Sequence, residues 1–128
     1  MPSRFMTGSK TLSKQLYHYK ASVIKVYDGD TCTVDIDLGL GTWVKGEKIR
    51  LSRINAPEIR GDERKKGLAS RDALRQLILG QDIILQTIKD KRGKYGRYIG
   101  EIWIQNNDKQ INVSDWLVSN NYAVYRDY

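Results

Sequence analysis

The stretch Ser22-Val23-Ile24-Lys25-Val26-Tyr27-Asp28-Gly29-Asp30-Thr31-Cys32-Thr33-Val34-Asp35-Ile36-Asp37-Leu38 decides the fold of this 128-residue chain. Its first six residues are mostly β-branched or aromatic, which suits a pleated strand. Asp28-Gly29 is a strong turn dipeptide. Beyond it Val34, Ile36 and Leu38 alternate with Thr33, Asp35 and Asp37, the period of a strand with one buried face. Two strands joined by this turn form a hairpin that has to cover its apolar side.

Working outward, Gly39, Gly41 and Gly46 mark a loop holding Trp43. Lys48 to Ile54 returns as a third strand, with Ile49, Leu51 and Arg53 on one face and Arg50, Ser52 and Ile54 on the other. Pro57 lacks the donor a central strand needs, so Asn55-Ala56-Pro57-Glu58 ends it. From Arg64 the chain reads helical: Ala73, Leu74, Leu77 and Ile78 form a core-facing stripe, and Gly80 is a good terminator. Asp82 to Ile88 and Arg97 to Gln105 read as strands, the second ending at Asn106-Asn107-Asp108. Val113, Trp116 and Leu117 at i, i+3, i+4 predict a short helix, capped by Ser114 or Asn112 and closed by a left-handed Asn121. Tyr122 to Tyr125 is extended. Three strands, a helix, two strands and a helix make an α+β, mainly β domain. The pattern fits an OB-like five-stranded Greek-key barrel with two packed helices. Residues 1–20 read as an N-terminal arm, partly flexible, and 21–128 as one domain.

Composition removes several classes of function. One cysteine, Cys32, excludes an intrachain disulfide and a thiolate metal cluster, and one histidine, His18, excludes a two-histidine mechanism. Cys32 reads as a packed strand residue. No apolar run reaches the roughly 20 residues of a spanning helix. With 22 Lys and Arg against 15 Asp and Glu, the net charge of +7 favours polyanionic partners, nucleic acid before anionic membrane. The first residues form neither a signal peptide nor an anchor. A native N-terminus implies a cytoplasmic or phage-encoded protein; a removed leader implies a secreted one.

Three clusters carry candidate chemistry. Asp28-Gly29-Asp30-Thr31 offers carboxylates on a rigid turn, suited to Ca²⁺ or Mg²⁺. Arg50 precedes the Pro-stiffened corner that bears Glu58. Lys89-Asp90-Lys91-Arg92-Gly93-Lys94-Tyr95-Gly96-Arg97 combines glycines with a planar guanidinium for phosphate oxygens. Taken singly, each has a plain reading: a turn, a solvent-facing arginine with a loop, a solvated basic loop. Together they supply what phosphodiester hydrolysis needs: a cation site, a group to orient water, and positive charge aimed at the transition state.

These segments, in this order and spacing, resemble the staphylococcal nuclease (thermonuclease-like) domains, from about Ser22 to Tyr125. The resemblance rests on Asp28-Gly29-Asp30-Thr31, Arg50-Leu51-Ser52-Arg53-Ile54-Asn55-Ala56-Pro57-Glu58 and Lys94-Tyr95-Gly96-Arg97. Val113 to Val118 and the segment through Ala123 also look like the family's late helix and closing strand. It implies Ca²⁺-dependent cleavage of DNA and RNA on the 5′-oxygen side, leaving 3′-phosphates. By position, Asp30 matches the main calcium carboxylate, Asn55 the second metal ligand, and Ala56 a backbone-carbonyl ligand. Glu58 matches the residue that positions water. Arg50 and Arg97 match the phosphate-gripping arginines, and Lys94 and Tyr95 match residues beside the other phosphate of the nucleotide.

Two departures stand out. The second metal ligand is typically Asp, and Asn55 removes one negative charge, which implies weaker calcium binding or a shifted metal preference. The best-known members continue into a further helix whose tyrosines stack on the base, whereas this sequence ends at Tyr128; Tyr125 or Tyr128 is the candidate replacement. The expectation is a monomeric nuclease acting on single strands, with little sequence specificity and no membrane partner. The alternative is a non-catalytic nucleic-acid-binding or scaffold domain on the same fold.

Overall fold

The computed structural model describes the backbone of residues 16–92 and 96–127, and their side chains except those of 89–92. The opening hairpin is β1 (His18–Asp28) and β2 (Thr31–Gly39), paired antiparallel from Lys20↔Asp37 to Asp28↔Thr31. β3 (Thr42–Leu51) returns along β2, with Thr31 opposite Arg50. A two-residue β4 (Ile54–Asn55) and a 3₁₀ turn (Gly61–Glu63) lead into α1 (Arg64–Ile78). β5 (Asp82–Arg92), β6 (Tyr98–Asn106), β7 (Lys109–Asn112), α2 (Val113–Ser119) and β8 (Val124–Tyr125) complete the chain.

The main sheet has the order β3-β2-β1-β5-β6-β7, and β6 also pairs with β3, in parallel, through Ile49↔Tyr98, Arg50↔Ile99 and Leu51↔Gly100. That contact closes β1, β2, β3, β5 and β6 into a five-stranded mixed barrel and removes their free edges where they meet. The OB-like architecture expected from the sequence is therefore present, with both helices packed on it. A side chain at Gly100 would meet the Gln86 carbonyl at 2.9 Å and Leu85 at 3.1 Å, so the closest approach of β5 and β6 uses a bare backbone.

The barrel is filled by Val23, Val26, Cys32, Val34, Ile49, Leu51, Leu85 and Ile102, all buried. From α1, Leu74 and Ile78 are fully buried, each stabilising by about 1.5–3 kcal/mol relative to exposure. Ala73 and Leu77 of the same stripe are only half-buried, on the flank facing α2. Gly80 at φ 74 ends the helix, and its N–H donates to the Val23 carbonyl at 2.9 Å, which ties α1 to β1. At α2, the Asn112 side chain accepts from the Asp115 N–H at 3.0 Å as cap, and Asn121 takes the left-handed exit at φ 64.

The structure corrects several sequence expectations. Trp43 lies in β3 rather than in a loop, because Leu40 at φ 57 between two left-handed glycines makes the hairpin turn compact. Leu38 is exposed because β2 has passed the end of the core there. β3 stops at Leu51, and Ser52-Arg53 is a turn. β1 begins at His18, whose ring lies 5.8 Å from that of Trp103. Residues 1–15 of the expected arm lie outside the described residues. No helix among the described residues is long and apolar enough to cross a membrane.

Candidate active site

Three local structures bring the site together. The first is the β1–β2 turn. The Asp28 carboxylate accepts from the Asp30 N–H at 3.1 Å, the side-chain-closed turn that aspartate favours. The Asp30 carbonyl accepts from the Leu51 N–H at 2.8 Å, joining the turn to β3. A Cβ on Gly29 would stand 2.7 Å from the β-carbons of both Ala56 and Ser70, so this glycine lets the turn, the Pro57 corner and α1 touch.

The second is β3, which buries Arg50 to 6% exposure beside Asp30, also at 6%. Their side chains form an ion pair at 3.3 Å. The same guanidinium donates to the Leu51 carbonyl at 2.7 Å and to Asn55 Oδ1 at 3.3 Å. The third is the corner after β4, where the Ala56 N–H donates to Asp30 Oδ2 at 2.8 Å. Asp30 therefore receives a backbone amide, a guanidinium and the Thr31 hydroxyl, the last at 3.3 Å. Arg97 joins from the start of β6, donating to the Thr31 hydroxyl at 3.4 Å.

Of the residues singled out from sequence, Asp30, Arg50, Asn55, Ala56 and Arg97 converge. Glu58 follows on the same corner, its side chain exposed. Lys94 and Tyr95 lie outside the described residues. Tyr125 is placed by its hydroxyl, which donates to Asp115 at 2.8 Å; Tyr128 lies outside the described residues.

Two further residues take part. Burial, and next to it the negative charge of Asp30, push the Asp28 carboxyl up to about 6. Thr31 links Asp30 to Arg97. The Asp-Gly-Asp-Thr spacing was the available signal for both.

The donors suit a hard cation: two carboxylates, an amide oxygen and no soft ligand. Among the described residues no three His, Cys, Asp or Glu side chains group to hold a metal, and the third oxygen donor of this set is the Asn55 amide. Asp28 is raised by burial first and by the Asp30 charge second, and a divalent cation would offset both. On that chemistry Asp28, Asp30 and Asn55 fit such an ion.

At the mouth of the hairpin the buried Asp30 pairs with Arg50, and Arg97 reaches the same turn through the Thr31 hydroxyl. A family model described as staphylococcal nuclease homologue matches residues 48–128, and the chain belongs to that family of nucleases. An uncharacterized protein of Methanocaldococcus jannaschii is 28% identical over 130 residues, covering 83% of this chain and 58% of its own length. This chain thus spans less than two-thirds of that relative.

Proposed function

We propose that this chain is a Ca²⁺-dependent nuclease that hydrolyses DNA and RNA with little sequence specificity, prefers single strands and leaves 3′-phosphate ends. The observation that carries the reading is the convergence of Asp30, Arg50, Asn55 and Arg97 at one end of the barrel, with Glu58 on the adjoining corner. Arg50 and Arg97 present planar donor forks to phosphate oxygens and oppose the charge that develops on them. Glu58, exposed on the corner that follows Asn55 and Ala56, orients the attacking water and accepts its proton. Asp28, Asp30 and Asn55 hold the cation, which supplies charge neutralisation at the phosphoryl group. Contacts of this kind read the backbone and carry no base information, so the substrate range is broad.

The test is cleavage of single-stranded DNA by the purified protein in Ca²⁺, Mg²⁺ or EDTA, with Glu58→Ala in parallel. Calcium-dependent cleavage, abolished by EDTA and reduced at least about 100-fold in the variant, is the expected result. Binding without cleavage in any metal would instead favour the non-catalytic scaffold reading and point to Asn55 as the lesion.

A further inference from the structure

Between Arg50 and Asn55 the chain reverses through Ser52-Arg53, and Arg53 sits there at φ 68. A non-glycine residue is disfavoured in this left-handed region, so something must hold it. The Arg53 guanidinium is gripped on three sides. It meets both oxygens of Glu101, at 2.6 and 3.0 Å, then Asp115 at 2.9 Å and the Asn112 amide oxygen at 3.2 Å. Asn112 also donates to Glu101 at 3.1 Å, and the Tyr125 hydroxyl donates to Asp115 at 2.8 Å. Hydrogen bonds and charge from Glu101 and Asp115 hold Arg53 above its usual range, and Arg53 holds Asp115 below its own.

The backbone repeats the grip. The Arg53 carbonyl accepts from the Arg126 N–H at 2.7 Å, and the Ser52 carbonyl accepts from the Ser114 hydroxyl at 3.0 Å. β4 pairs with β8 through Ile54↔Tyr125 and Asn55↔Val124. All of these contacts converge on the turn that delivers Asn55 Oδ1 to Arg50 and the Ala56 N–H to Asp30.

We infer that Arg53 and Glu101 are positioning residues of the active site. Their bidentate pair fixes the left-handed turn and so sets the placement of Asn55 and Ala56 against Arg50 and Asp30. The inference rests on the nuclease reading. It follows from scale: Asn55 is two residues from Arg53, and a displacement of about 1 Å at such a site can cost about 100-fold in rate.

The experiment separates turn, clamp and stability. Arg53→Gly keeps a residue that accepts the left-handed φ but removes the guanidinium, leaving the Glu101 carboxylate, at 9% exposure, without its cation. The double variant Arg53→Gly/Glu101→Gln removes the clamp without that stranded charge. Calcium binding is read by calorimetry without substrate, kcat and KM by DNA cleavage, and Tm alongside. The double variant is expected to unfold near the wild-type temperature, bind calcium about tenfold more weakly and lose about 10–100-fold in kcat, with KM little changed. Wild-type calcium affinity and kcat in the double variant would overturn the inference and leave the nuclease reading standing. Should the double variant fail to fold, Glu101→Gln alone decides: a several-fold loss of calcium affinity at unchanged Tm supports the inference, and unchanged affinity overturns it. A wild-type protein that neither binds calcium nor cuts DNA would remove both readings.

Discussion

The α-carbon of Gly67 lies against the backbone carbonyl of Glu58, so close that a β-carbon there would overlap the carbonyl oxygen. Helix α1 therefore braces the corner that carries the proposed water-positioning carboxylate. Gly67→Ala gains about 1 kcal/mol in helix propensity. It also forces helix and corner apart against rigid backbone, which costs about 1–3 kcal/mol. The clash wins, because neither partner is a flexible side-chain end. The expected outcome is a lower urea midpoint together with at least about tenfold slower DNA cleavage. A more stable, fully active variant would show that α1 does not set the Glu58 corner.

Asn55 supplies an amide oxygen where the family typically has a carboxylate, and that oxygen already accepts from Arg50 at 3.3 Å. Asn55→Asp adds a third negative charge to a site with two, and affinity for a hard cation rises with the charge of its ligands. Calcium binding measured by calorimetry should tighten roughly tenfold. Arg50 is next to the new charge and offsets its cost in the metal-free protein. Equal calcium affinity in the two proteins would mean that position 55 is not a ligand.

The parts of the molecule legible in the sequence are those specified locally. The hairpin follows from alternation around Asp28-Gly29, and α1 follows from its apolar stripe and Gly80. β4 and β8 have two residues each, too few to show a period, and exist only because each finds the other. Gly46, which suggested a loop, lies within β3 at φ 69, its N–H closed by the Asp35 carboxylate at 2.9 Å. Arg53 follows two alternating inward residues, so a period-2 reading places it on the core face. The turn instead swings it onto Glu101, which is 48 residues away. At the proposed site, the motifs single out Asp30, Arg50, Asn55, Ala56 and Arg97, and the fold brings these five together. The contribution of Thr31 depends on which strands meet, and Thr31↔Arg50 pairing is a property of the closed sheet.

Cys32 is wholly buried in β2, and burial, followed by the nearby Asp28 charge, pushes its thiol up to about 12. At pH 8 the thiol is then overwhelmingly protonated in the folded state. The nucleophile is the thiolate, so the folded protein should be inert to thiol reagents and react fully on unfolding in guanidinium. Mixing with a chromogenic disulfide at pH 8 checks this. Rapid labelling of the native protein would mean that the barrel opens readily at β2.

Asp28 makes stability depend on pH in a defined direction. Its carboxyl is raised from 3.8 to about 6 in the folded protein, by burial first and by Asp30 second. Between these values the folded state binds more protons than the unfolded chain, so stability falls as pH rises from about 4 to about 6 and stays reduced above. The full shift corresponds to about 3 kcal/mol, which solvent screening at this half-buried side chain trims to about 1–2 kcal/mol. Asn at this position still accepts from the Asp30 N–H but carries no charge. In EDTA, Asp28→Asn should therefore be more stable than wild type at pH 7.5, with the gap closing at pH 4. With calcium present the order should reverse, since in the proposed function the same carboxylate would hold the cation. Urea unfolding at both pH values, with and without calcium, tests the pair of signs. Parallel pH profiles for the two proteins in EDTA would show that the Asp28 carboxyl is not raised by its surroundings and would count against Asp28 as a residue that would hold a cation.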